Sequence, residues 1–288
     1  LFPDDGRSAD QLMRKADLAL YRAKAEGGDR YRLFEAAMDL AVRRRRRVAR
    51  DLQDALQRDR VHLTLTPVRD LRGGRVVAAE IGLRWQQPDE RIADVGRSLD
   101  DAAPRALLTA LDAWTIEQAW SMQRDAGPDG FGCPLVLPLR MRRLGGSALV
   151  DVVRARLSAQ PLAAGAIELA VPSLALVHAE VDAVLHELAG LDVALSLYSH
   201  DCEIGCTVAR FAALPFRRLS VDLSAVAGGT DRRVLGASLR AAQAATSALG
   251  RGIGARGVAR IGDERLLRTL GYETVEGPVV GPALPADE

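Results

Sequence analysis

No sign of charge dominates this sequence: its 288 residues carry 39 basic and 38 acidic side chains. A chain so balanced has no net field with which to hold a nucleic-acid polymer, and none is expected as a partner. Long hydrophobic runs are missing too. No stretch reaches the roughly 18 apolar residues that a bilayer-spanning helix needs, and no signal peptide is legible. Cysteine is scarce: Cys133, Cys202 and Cys206 cannot all pair. Free thiols in a reducing, cytoplasmic setting are the expectation. The chain opens on Leu1 rather than Met, which reads as part of a longer polypeptide.

What is present is a full hydrophobic complement of 48%, enough for one large α/β domain and a smaller element. Residues 8–26 place Leu12, Ala16, Leu18, Ala19 and Ala23 at helical spacing behind a Ser/Asp start. A short strand is expected over 30–34 and a long charged helix over 36–58. From about residue 60, strand-like runs alternate with helical ones. Strands are expected at 61–67, 75–85, 134–140, 166–172, 192–198, 218–222, 251–258 and 272–280. Helices are expected at 104–124, 147–159, 173–189, 205–213, 231–249 and 263–270. Such alternation over some 220 residues predicts an α/β fold with a parallel sheet closed into a (β/α) barrel. In a barrel the chemistry belongs at the C-terminal strand ends.

Several stretches then carry a resemblance. "ADLALYRAKAEGGDRYRLF" resembles the last helix and strand of a GGDEF (diguanylate cyclase) domain. "EIGLRW" (80–85), "LDAWTIEQA" (111–119), "IELAVPSLAL" (167–176), "ALPFRRLSVD" (213–222), "GARGV" (254–258) and "LGYETVEG" (270–277) resemble, in order, the landmarks of an EAL domain. The resemblance implies a modified (β/α)8 TIM barrel of the cyclic-di-GMP phosphodiesterase family. It divides the chain into a GGDEF remnant (1–35), a linker helix (36–59) and an EAL-like barrel (60–288). "EGGDRY" at 26–31 is a decoy: it follows the closing helix of the GGDEF pattern, so no cyclase activity is expected.

Hydrolysis of a phosphodiester by two metal ions needs several hard oxygen ligands. The family's cage, Mg or Mn in its active members, carries over position by position. Glu80 stands at the Glu of Glu-Ala-Leu. The expected Asn falls at Pro138, and the Glu of the "LEITE" strand at Val171. The paired Asp falls at Tyr198-Ser199 or Ser199-His200, and the Lys of "KID" at Ser220, beside a retained Asp222. Arg256 and Ala259 occupy two Glu positions. An always-charged guanidinium repels metals, so neither catalytic residues nor a metal cofactor are expected. A Glu80–Arg256 ion pair is expected instead. Among the family's ligand contacts, Arg84 keeps a phosphate-reading guanidinium, whereas Thr66, Gly82 and Pro278 replace a Gln, a Leu and a Tyr. Glu80, Arg84 and Asp222 are thus the vestigial ligand-binding candidates.

Arg43 to Arg47 read as part of a solvated linker helix, since five consecutive residues wind more than once around it and Asp51, Asp54 and Asp59 offset the charge. "HDCEIGC" offers His200, Asp201, Cys202, Glu203 and Cys206, but lacks a second cluster to complete a zinc site, and reads as a rearranged loop. Trp85, Trp114 and Trp120 read as core or interface residues. The function expected from the resemblance is a non-catalytic signalling module working by protein contact. A homodimer through barrel helices and upstream sensor and GGDEF domains are its implied partners. The alternatives are a receptor that binds cyclic-di-GMP, weakly, without hydrolysis, and a residual phosphodiesterase.

Overall fold

Apolar residues on both faces of a strand demand cover on both, and the strands after residue 130 are of that kind. β6 (Ala194–Ser199) is buried along its whole length. In the computed structural model they build a closed barrel. The residues described are 2–3, 6–25, 31–99, 103–126, 132–140, 147–199, 204–224 and 232–286.

Residues 61–84 and 105–288 form one compact unit, and 1–60 with 85–104 form another. In the larger unit, β1 (Val61–Asp70) and β2 (Val76–Gln86) form a hairpin. Its turn uses Gly74 at φ 72°, a left-handed conformation that glycine adopts without a Cβ clash. Beyond β2, β4 (Leu135–Pro138), β5 (Ile167–Pro172), β6, β7 (Arg218–Asp222), β8 (Gly252–Arg256) and β9 (Thr274–Glu276) follow in parallel register. β9 then pairs antiparallel with β1, and the eight strands close. A two-residue strand, β10 (Leu284–Pro285), lies antiparallel on β1. Helices α4 (Arg105–Asp125), α5 (Ala148–Ala159), α6 (Val181–Ala189), α7 (Ile204–Ala213), α8 (Arg232–Ala248) and α9 (Ile261–Thr269) follow the strands. They bury Ile116, Trp120, Val153, Leu185, Phe211, Leu239 and Leu267, and the outward strand positions bury Leu137, Leu169, Leu197, Leu219 and Ile253.

The smaller unit holds α1 (Ala9–Ala25), α2 (Ala36–Gln57), β3 (Ile92–Asp94) and α3 (Val95–Ser98). The strand expected at 30–34 is absent from its described residues: 31–35 are irregular. An alternating pattern makes a strand only where a neighbour accepts its ladder. The single helix expected over 173–189 is also two elements. A 3-10 turn, Ser173–Val177, comes first, and α6 starts at Val181. Pro172 leads into the turn at φ −70° and ψ 138°, an extended conformation that keeps the helix from starting there. No helix among the described residues is long and apolar enough to cross a membrane.

Candidate functional site

Side chains alternate across a strand, so register assigns each position to the barrel interior or the helix layer. Glu80 pairs in register with Val136, and Val136 with Glu168. Pro172 pairs with Tyr198, Tyr198 with Ser220, and Asp222 with Arg256. All of these share the interior face. Small apolar groups, Val68, Ala78, Val136 and Ala170, fill part of it against the Tyr198 ring.

Four charged groups converge at the C-terminal end. Arg256, the last residue of β8, donates from Nη2 to Oε1 of Glu80 on β2. Its Nε stands 3.9 Å from Oδ2 of Asp222 at the end of β7. Its guanidinium lies over the Tyr198 ring, 4.7 Å from the centroid, a cation–π geometry. Glu276, at the end of β9, completes the group: its Oε2 accepts the Gly257 backbone N–H at 3.1 Å. Asp222 Oδ1 accepts from the Ser224 N–H at 2.8 Å and its hydroxyl at 2.6 Å. The side chains of Glu80, Arg256 and Asp222 are 14%, 17% and 7% exposed.

Three carboxylates around one cation leave an excess of negative charge in a poorly hydrated space. Burial pushes the Glu80 carboxyl up to about 8; Arg256 opposes that rise, while Glu276 and Asp222 add to it. Burial likewise raises Glu276, against the pull of Arg256 and the Gly257 N–H. For Arg256, burial disfavours the charge, but Glu80, Glu276 and Asp222 more than offset it and hold its pKa above the ordinary value. Burial thus favours the protonated form of these two carboxyls, while the carboxylates around Arg256 favour its charged form. Burial pushes the Tyr198 phenol up to about 12, and its hydroxyl donates to the Leu139 carbonyl at 2.9 Å. The neighbouring Arg140 is anchored by buried Asp112, which accepts its N–H at 3.0 Å and its Nη1 at 3.2 Å.

The structure brings together Glu80, Asp222 and Arg256, and the expected Glu80–Arg256 pair is present. Arg84 lies four residues beyond Glu80 on the same face of β2 and is exposed at the rim. A Cβ on Gly82 would meet Thr64 Oγ1 at 2.5 Å, so the apolar contact missing there is blocked by the strand alongside. Val171 needs a correction as a cage position. It is fully buried, in register with Leu197, on the side of β5 that faces the helices. The interior positions of that strand end are Ala170 and Pro172, which have no side-chain oxygen either. Glu276 escaped the sequence reading because it falls outside the acidic positions expected of the pattern. The signal was an acid at a strand end just before a glycine the backbone requires. Gly277 has φ 131°, and a Cβ on it would lie 2.4 Å from the Val258 nitrogen.

Of the remaining candidates, His200, Asp201, Cys202 and Glu203 lie outside the described residues. Trp85 and Trp120 are buried as core residues. Cys133 is a free, half-buried thiol whose pKa is raised by burial. No cluster of three or more His, Cys, Asp or Glu side chains among the described residues is arranged to hold a metal ion.

Comparison with known proteins agrees with this barrel architecture. The chain is 27% identical over its full length to the bifunctional diguanylate cyclase/cyclic di-GMP phosphodiesterase MucR of Pseudomonas aeruginosa, and covers 42% of it. It is 28% identical over 78% of its length to the cyclic di-GMP phosphodiesterase NbdA of the same organism, covering 29% of that protein. The chain thus spans less than half of these relatives. Among solved structures, the MucR phosphodiesterase in its c-di-GMP complex superposes with a TM-score of 0.71 at 24% identity, over 84% of this chain and 98% of that one. The Pseudomonas aeruginosa FimX EAL domain bound to c-di-GMP gives 0.71 at 18%, over 82% and 96%. At these identities the superpositions show the fold. The family model described as "EAL domain" matches residues 49–283. With that match over most of its length and an eight-stranded barrel of the same architecture, the chain belongs to the EAL domain family.

Proposed function

We propose that this chain is a non-catalytic EAL module that acts through protein contacts within a longer cyclic-di-GMP signalling polypeptide. One observation carries the reading: the position where hydrolysis calls for an anionic metal ligand holds Arg256, which Glu80 and Asp222 already engage. Two divalent ions bring four positive charges, and a fixed guanidinium among their ligands repels them. The residues present do not fit a two-metal cage. Neither Pro138 nor the interior positions Ala170 and Pro172 supply a replacement oxygen. In this reading Glu80 and Asp222 are remnants of the cage, residues 1–35 are the end of a GGDEF domain and 36–59 a linker to the barrel (60–288). Pairing of two copies through barrel helices supplies the contact. The test is turnover of cyclic-di-GMP with Mg or Mn, alongside NbdA as the positive control. No linear dinucleotide is expected, and metal-dependent product would refute the proposal.

A second reading, a receptor that binds without hydrolysis, is favoured by Arg84, an exposed guanidinium on the interior face of the rim. The FimX EAL domain, with the same fold, was solved bound to c-di-GMP. Against it stand the glycine at position 82 and the Thr64 hydroxyl behind it. Titration calorimetry with cyclic-di-GMP separates the two: micromolar or tighter affinity establishes the receptor. A residual phosphodiesterase has the least support.

A further inference from the structure

Outside the barrel mouth, α2 carries a marked concentration of positive charge. Its 22 residues include six arginines against three aspartates, and no Ser, Thr, Asn or aromatic residue. At about 100° per residue, Arg43, Arg46, Arg47 and Arg50 fall within an arc of roughly 100°. All four are exposed. Five consecutive arginines would indeed wind around the helix, as the sequence suggests; Arg50 is what completes a stripe on one side. The opposite side is committed to packing, with Leu52 and Ala55 fully buried and Ala49 nearly so. Arg50 Nε donates to the Arg46 carbonyl at 3.5 Å, which lays its guanidinium back along the same face. Asp54, one turn beyond Arg50, is drawn to Arg58 at 3.4 Å. Leu40 borders the stripe and is 66% exposed.

We infer that this face of α2 docks on an anionic lipid surface. Four guanidinia along about 10 Å of a convex helix suit negative charge spread over a plane. The helix has no hydroxyl side chain to fix register on a phosphate backbone and no aromatic ring on which bases stack, and its two amides, Gln53 and Gln57, lie beyond the four arginines toward its C-terminal end. Leu40 is the kind of neighbour that enters the headgroup layer beside such charges. Because the apolar stripe of α2 is already buried in the protein, the attachment is electrostatic, peripheral and reversible. The inference does not depend on the state of the barrel mouth.

The test is co-sedimentation of the full chain with vesicles of phosphatidylcholine alone or mixed with phosphatidylserine, at low and high salt. Fluorescence anisotropy with duplex DNA forms a parallel arm. Binding is expected only to the phosphatidylserine vesicles and is lost at high salt. At about fivefold in partitioning per arginine, the variant Arg43→Gln/Arg46→Gln/Arg47→Gln/Arg50→Gln loses several hundredfold. Its melting temperature should match the parent's, since all four side chains are exposed. Equal binding to neutral vesicles, or unchanged binding by the quadruple variant, overturns the inference. So does tighter binding to DNA than to the vesicles, which would assign the face to nucleic acid.

Discussion

Replacing Arg256 by Met tests the electrostatics of the barrel mouth most directly. The substitution keeps most of the apolar stem and removes the guanidinium that engages Glu80 and Asp222. Removing one partner of a buried ion pair typically costs about 3–5 kcal/mol, because the other charge stays behind. Here three carboxylates stay behind, and protonation can relieve them. Each carboxyl forced to hold a proton costs about 1.4 kcal/mol for every pH unit above its unfolded value near 4.5. The parent already carries part of this burden, since Glu80 is pushed up to about 8. The sign follows from proton counting. Between about pH 4.5 and 8 the folded state binds more protons than the unfolded state, so stability falls as pH rises. Arg256 holds the carboxyls of Glu80 and Glu276 down against burial, so removing it steepens the fall. Urea unfolding should therefore show a loss of about 3–5 kcal/mol at pH 8 and only about 1–2 kcal/mol at pH 5.5. A loss below about 1 kcal/mol at both pH values, or a larger loss at the lower pH, would refute the reasoning.

Other substitutions probe the supports of the site. Glu80→Gln removes the group with the raised pKa, so the decline of parental stability between about pH 5 and 8 should flatten in thermal melts. Tyr198→Phe keeps the ring beneath the Arg256 guanidinium but loses the bond to Leu139; a cost of about 1 kcal/mol is expected in urea unfolding, and Tyr198→Leu should cost more. Arg251→Met removes donors that reach the carbonyls of Phe211 and Leu214 at 2.6 Å and Ala212 at 3.1 Å, which cap the end of α7. A loss of about 2–3 kcal/mol in chemical denaturation is expected, because bonds to a charged donor outweigh neutral ones.

The barrel was legible because its signal is periodic and repeated. The strand ends at 172 and 222 and the helix ends near 125 and 159 follow from apolar alternation and its breaks. The strand expected at 30–34 failed for a reason no local pattern contains, since a ladder depends on a neighbour. The Glu80–Arg256 pair was predictable because two opposite charges were assigned to one barrel mouth. Facing was harder to read. Val171 matched the pattern by position in the sequence, yet pairing with Leu197 puts it among the helices. Glu276 stayed hidden because its role comes from convergence with β7 and β8, which is a property of closure. The stripe on α2 was masked by a run of identical letters, and only the angular position of Arg50 revealed it.

The guanidinium at the end of β8 also changes what the barrel mouth needs from solution. A divalent ion must be captured from a dilute pool, and its occupancy rises and falls with supply and chelation. A cation joined to the chain is always at hand, at an effective concentration set by strand geometry rather than by the medium. Neither chelator nor dilution can take away the charge that Glu80 faces.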